Sequence, residues 1–63
     1  MFGNVYNEDI EIKNAPVCNC GGSYDFSKVF ELRSNRFVCF YARCKQCGKE
    51  YKANTLKELL SKL

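Results

Sequence analysis

There is no histidine anywhere in this 63-residue chain. That absence removes the side chain most often used as a general base or proton shuttle, and no catalytic residue is expected. Long apolar runs are missing too: no stretch approaches the roughly 20 residues of a membrane span. The N-terminus, Met1-Phe2-Gly3-Asn4-Val5-Tyr6, lacks a basic region followed by an apolar run, so no secretion signal is expected. Glycine at position 3 does not match a myristoylation start either. Proline occurs once, as Pro16. Cysteine is plentiful, but its count of five is odd, which argues against a closed set of disulfides. A reduced, cytoplasmic chain with paired cysteines points instead to a metal.

The length calls for one. Sixty-three residues make a single domain, 1–63, and a chain of this size buries only about 60% of its unfolded surface. Such domains need a staple. Two stretches supply it: Cys18-Asn19-Cys20-Gly21 and Cys44-Lys45-Gln46-Cys47-Gly48. Each sets two thiols within one tight turn and follows the second with glycine. The segment between the pairs, 21–43, is about long enough for one β-hairpin that returns both turns to the same end. Four thiolates converging there form a tetrahedral S₄ site suited to one structural Zn²⁺, with Zn–S near ~2.3 Å. Cys39 is left over; mid-strand between Val38 and Phe40 it reads as a small core hydrophobe, the alternative being a ligand that replaces Cys18 or Cys20.

The rest of the chain is strand and one helix. Asp9-Ile10-Glu11-Ile12-Lys13 alternates strictly, so Val5 to Lys13 predicts an N-terminal strand closed by Asn14-Ala15-Pro16. Tyr24 to Arg33 alternates again, Ser34-Asn35 is a turn signal, and Phe37 to Arg43 forms the returning strand. The returning strand is apolar on both faces, with Phe37, Cys39 and Tyr41 on one and Val38, Phe40 and Ala42 on the other. It is therefore expected to be central and covered on both sides. Lys49 to Ala53 is a short further strand. Thr55-Leu56-Lys57-Glu58 fits a helix-capping box, and Leu56, Leu59, Leu60 and Leu63 fall on one helical stripe. So short a helix persists only if those leucines dock on the sheet.

The pair–hairpin–pair arrangement resembles the zinc ribbon superfamily. Cys18, Cys20-Gly21, Cys44, Cys47-Gly48 and Tyr51 carry the resemblance, which spans Val17 to about Tyr51, just over half the chain. It implies a glycine after each second cysteine that turns with φ > 0 and points amides at the sulfurs. The first knuckle departs from the usual C-x-x-C by one residue. The expected fold is a small zinc-stabilised β domain: a zinc-ribbon-like hairpin or three-stranded sheet over 17–53, with an added N-terminal strand in 1–16 and a C-terminal helix in 54–63.

Function is less legible. The formal charge of +3 falls to about +1 once four thiolates and one Zn²⁺ are counted. The charge is uneven: residues 1–26 hold one base against four acids, and residues 27–63 nine bases against three acids. Arg33, Arg36, Arg43, Lys45, Lys49 and Lys52 are candidate phosphate contacts, with Tyr41 or Tyr51 available to stack bases. The same cations could simply offset a thiolate-rich centre. Zinc ribbons often serve transcription, replication or translation, so the resemblance implies a non-enzymatic module contacting nucleic acid or a nucleoprotein. The alternative is a protein–protein adaptor or inhibitor, or a self-associating chain, that uses an exposed aromatic face through Tyr41 or Tyr51. It becomes the better reading if the N-terminal strand fails to cover the second face of the sheet. Thiol redox chemistry at Cys44-x-x-Cys47 is a distant third, since no βαβ unit surrounds it. No small-molecule substrate and no membrane contact are expected.

Overall fold

The computed structural model describes residues 4–63. The first three residues, which belong to the expected N-terminal segment, lie outside the described residues. Four strands and a helix follow in order: β1 (Val5–Ile10), β2 (Tyr24–Glu31), β3 (Phe37–Cys44), β4 (Glu50–Ala53) and α1 (Leu56–Lys62). The strands form one antiparallel sheet in the order β1-β2-β3-β4.

Strand β1 stops at Ile10, three residues before the alternation does. Pairing ends where Ile10 meets Phe26. Beyond it Ile12 and Ala15 fold over onto the core as the chain crosses toward Cys18, with Asn14 at φ 57°. Alternation marks which residues share a face; it does not say how far a partner strand extends.

The β2–β3 hairpin turns as expected at Asn35, φ 56°, whose amide donates to the Glu31 carbonyl at 2.8 Å. Its ladder is not continuous. Val29 faces Cys39 and Phe30 faces Phe37, so Val38 is left over as a bulge. The extra residue moves Phe37 off the face of Cys39 and Tyr41 and onto that of Phe40. There Tyr6, Phe30, Phe37 and Phe40 form a row across three strands, with ring centroids 5.4, 5.9 and 5.0 Å apart.

Helix α1 covers one face of the sheet. Thr55 caps it, its Oγ1 accepting from the Glu58 amide at 3.1 Å, the forward bond of the capping box. Leu59 is fully buried in a cluster with Tyr24, Phe26, Ala42, Ala53, Cys18 and Cys44, while Leu56, Leu60 and Leu63 pack against its margin. The leucine stripe docks as expected. The opposite face is another matter. Strand β1 pairs in the plane of the sheet rather than across it, so β3 is central but covered on one side only among the described residues. Among the described residues no helix is long and apolar enough to cross a membrane.

Candidate metal centre

Both knuckles are built by the same pair of backbone bonds. In the first, the Cys18 amide donates to the Gly22 carbonyl and the Gly21 amide to the Cys18 carbonyl, each at 2.9 Å. In the second, the Cys44 amide donates to Lys49 at 2.9 Å and the Gly48 amide to Cys44 at 3.1 Å. The first turn closes over one residue fewer and keeps the same end bonds, which is how C-x-C stands in for C-x-x-C. Gly21 and Gly48 both lie at positive φ, 92° and 81°, the left-handed region that glycine enters without strain. A bond from the Lys45 amide to the Ser23 carbonyl, 2.9 Å, ties one turn to the other.

The sulfurs of Cys18, Cys20, Cys44 and Cys47 all lie within 4.8 Å of one another. Cys18 Sγ is 3.6 Å from Cys47 Sγ, and Cys20 Sγ is 3.4 Å from Cys44 Sγ. A tetrahedron with Zn–S of ~2.3 Å has edges of about 3.8 Å, inside this range. Donor number, donor chemistry and spacing therefore fit one divalent, thiophilic ion. Cys18 and Cys44 are buried, Cys20 and Cys47 exposed, so each knuckle offers one inner and one outer ligand. Cys39 faces Val29 in mid-sheet, outside this set, and all five thiols are free of disulfides. It is half-buried on the uncovered face rather than in the core, because alternation puts it opposite to Phe40 and Ala42.

Protein dipoles already favour thiolate at the inner positions. The Cys47 and Gln46 amides both donate to Cys44 Sγ at 3.4 Å, and its thiol is held below the usual range, first by the Cys47 amide. At Cys18 the Cys20 amide is the chief cause of a thiol lowered to about 6. At Cys20 the Gly22 amide pulls downward, but the sulfurs of Cys44 and Cys18 outweigh it and push the thiol up to about 11. Four thiols this close cannot all ionise unaided; a divalent cation removes the repulsion. Tyr24 lies beside Cys18, and burial pushes its phenol up.

Gln46, which the cysteine spacing did not point to, and Gly22, expected with Gly21 to permit the shortened first knuckle, hold the turns together. Gln46 Nε2 donates to the Cys20 carbonyl at 3.3 Å. Gly22 lies so close to the second knuckle that a Cβ there would stand 2.6 Å from Gln46 Cβ and 3.2 Å from Cys44 Sγ. A pair of successive glycines was the available signal, but it could not say which served the turn and which the contact.

The six candidate cations do not form one patch. Arg33 and Arg36 sit at the β2–β3 turn, whereas Lys45 and Lys49 sit at the second knuckle, at the other end of eight-residue strands. At ~3.4 Å per residue those ends are about 25 Å apart. Arg43 stands in register between Asp25 and Glu50, and Lys45 pairs with Asp25 at 3.4 Å. Lys52 lies beside Tyr41 in the ladder. The two tyrosines also part company. Tyr51 packs edge-on against Tyr24 at 6.1 Å on the helix side, while Tyr41 lies on the uncovered face. Burial, then the Glu50 carboxylate, pushes the Tyr41 phenol up.

On that face a concavity of about 660 Å³ is lined by Val5, Val29, Val38, Cys39, Tyr41 and Lys52, among others. Comparison of the chain with protein families, with curated proteins and with solved structures gives no match.

Proposed function

We propose that this chain is a non-enzymatic, zinc-ribbon-like binding module in which one structural Zn²⁺ holds the knuckles, and that its partner is a protein. The metal reading rests on four sulfurs with tetrahedral spacing. A four-thiolate shell is closed, leaving no position for substrate or water, which suits structure rather than catalysis. The partner reading rests on one observation: the sheet face opposite α1 carries Val5, Val38, Cys39 and Tyr41 with no element of the described chain over them. Val38 is 47% exposed. Exposed apolar patches on small proteins mark interaction sites.

The nucleic-acid reading has less support. Its cations divide between two ends, and Arg43 and Lys45 already neighbour carboxylates. The rings of the aromatic row pack against one another, stacked for Tyr6–Phe30 and edge-to-face for the next two pairs.

A titration of the zinc-loaded chain with mixed single- and double-stranded oligonucleotides at low salt, beside a nuclease-treated lysate pull-down, separates the two readings. Protein capture should survive nuclease and the Arg43→Ser, Lys45→Ser, Lys49→Ser triple variant, and be lost with Val38→Ser or Tyr41→Ala. Oligonucleotide binding that weakens in the triple variant, with a salt slope lower by about 0.9 per lost contact, would reverse the choice.

A further inference from the structure

The two edges of the sheet are unequal. Strand β4 is four residues long and pairs only with Phe40–Arg43. Lys62 crosses it, Nζ donating at 2.7 Å to the Lys52 carbonyl, one of the groups that β4 would offer a further strand. A short edge with lysines on it is how sheets discourage addition. Strand β1 has none of these guards. It runs six residues as Val5-Tyr6-Asn7-Glu8-Asp9-Ile10, without lysine or proline, and has no neighbour on its outer side among the described residues.

That edge is also held in shape. The Leu32 amide donates to the Asn4 carbonyl at 2.8 Å, Tyr6 Oη to Asn35 Oδ1 at 3.1 Å, and Asn7 Nδ2 to Ser27 Oγ at 3.1 Å. In an antiparallel ladder bonded and non-bonded pairs alternate. Starting from the bonded pair Asn4–Leu32, the alternation turns the N–H and C=O of Val5, Asn7 and Asp9 outward. Asp9 stands exposed on this strand and Glu11 just beyond it, and neither makes an ion pair among the described residues, whereas Glu8 faces Lys28 in the ladder.

We propose that the outer edge of β1 is a strand-addition site for an extended, basic segment of a partner protein. The partner main chain pairs with Val5, Asn7 and Asp9, and its cationic side chains on the uncovered face stand beside Asp9. Main-chain bonds supply the register-independent part of such recognition, and alternate side chains the specificity. The bound strand lies next to Val5 and Asn7, which border the uncovered concavity, so edge and face form one surface. This deepens the protein-partner reading and rests on it.

The test uses the zinc-loaded full chain and two synthetic eight-residue peptides, one alternating lysine with valine and its twin alternating glutamate with valine. The basic peptide should slow hydrogen exchange at the Val5, Asn7 and Asp9 amides at least tenfold, and the acidic twin should not. Asn7→Pro, which deletes one outward N–H, should abolish the protection, whereas Asn7→Ala should keep it. Equal effects of the two peptides, or binding without protection at those three amides, overturns the inference. Protection that rises with protein concentration alone, with dimers in sedimentation, overturns it in favour of a second copy. Capture of a partner that survives Asn7→Pro but fails with Tyr41→Ala leaves the protein-binding reading standing and the edge site refuted.

Discussion

A methyl group at Gly22 would stand 2.6 Å from Gln46 Cβ, whereas one at Gly21 would meet nothing within 4 Å. The two neighbours are therefore glycine for different reasons, contact in one case and a φ of 92° in the other. Gly21→Ala should cost about 1–2 kcal/mol through backbone strain alone. Gly22→Ala should cost about 1–3 kcal/mol by forcing the knuckles apart, and should lower zinc affinity as well. Gln46→Gly removes the clashing atom, so it should rescue Gly22→Ala but not Gly21→Ala. Denaturant melts and chelator competition on the three single and two double variants, read as double-mutant cycles, check this. Additive losses for Gly22→Ala and Gln46→Gly would refute the contact.

Each secondary-structure element carries its own mark of burial. Leu59 is fully enclosed, while Leu60, on the same stripe, is half-buried at the cluster margin. Leu59→Ala should cost roughly 2–5 kcal/mol, Leu60→Ala clearly less, and Thr55→Ala about 1 kcal/mol through the lost cap. Urea melts of the zinc-loaded variants give the order, and equal losses at Leu59 and Leu60 would contradict the docking geometry. In β3 the bulge makes a sharper test. Deleting Val38 joins Phe37 to Cys39 and leaves a continuous ladder with β2, so the shortened chain should still fold and bind one zinc. Deleting Tyr41 instead closes the bulge only by turning Phe40 to the uncovered face and Cys39 toward the helix, and should cost clearly more stability. Zinc stoichiometry and circular dichroism melts of the two deletions decide it.

For the molecule as a whole, the zinc proposal couples folding to metal binding. A structural zinc contributes on the order of 10 kcal/mol, comparable to the entire stability of an ordinary domain. Cys18→Ser, Cys20→Ser, Cys44→Ser and Cys47→Ser should each unfold the chain, and Cys39→Ser should still bind one zinc with the fold intact. Loss of zinc in Cys39→Ser alone would overturn the ligand set. Acid should act through the same centre. A folded-state thiol held below its ordinary value of 9.0, as Cys18 is at about 6, adds stability that is complete above 9 and vanishes as pH falls through about 6. Protons compete with Zn²⁺ for the four thiolates, so zinc release and unfolding should coincide as the pH is lowered, followed by a zinc indicator and circular dichroism together.

What the sequence determined by itself was the chemistry that acts over a few residues. The convergence of Cys18, Cys20, Cys44 and Cys47 into one four-thiol cluster was legible because each pair closes its own turn. Gly21 and Gly48, the Asn35 turn and the Thr55 cap were legible for the same reason: their partners lie within three to five residues. Tertiary structure decided everything that depends on which strand lies beside which. Alternation in β1 and β3 told which residues share a face, but a ladder can skip a residue, as it does at Val38, and then the faces change hands. Nor could it tell whether β1 would lie over the sheet or extend it, since both bury part of an apolar face. The basic residues looked like one cluster because they are near in sequence. Eight-residue strands separate them, because a hairpin puts its turn and its two ends at opposite poles of the sheet.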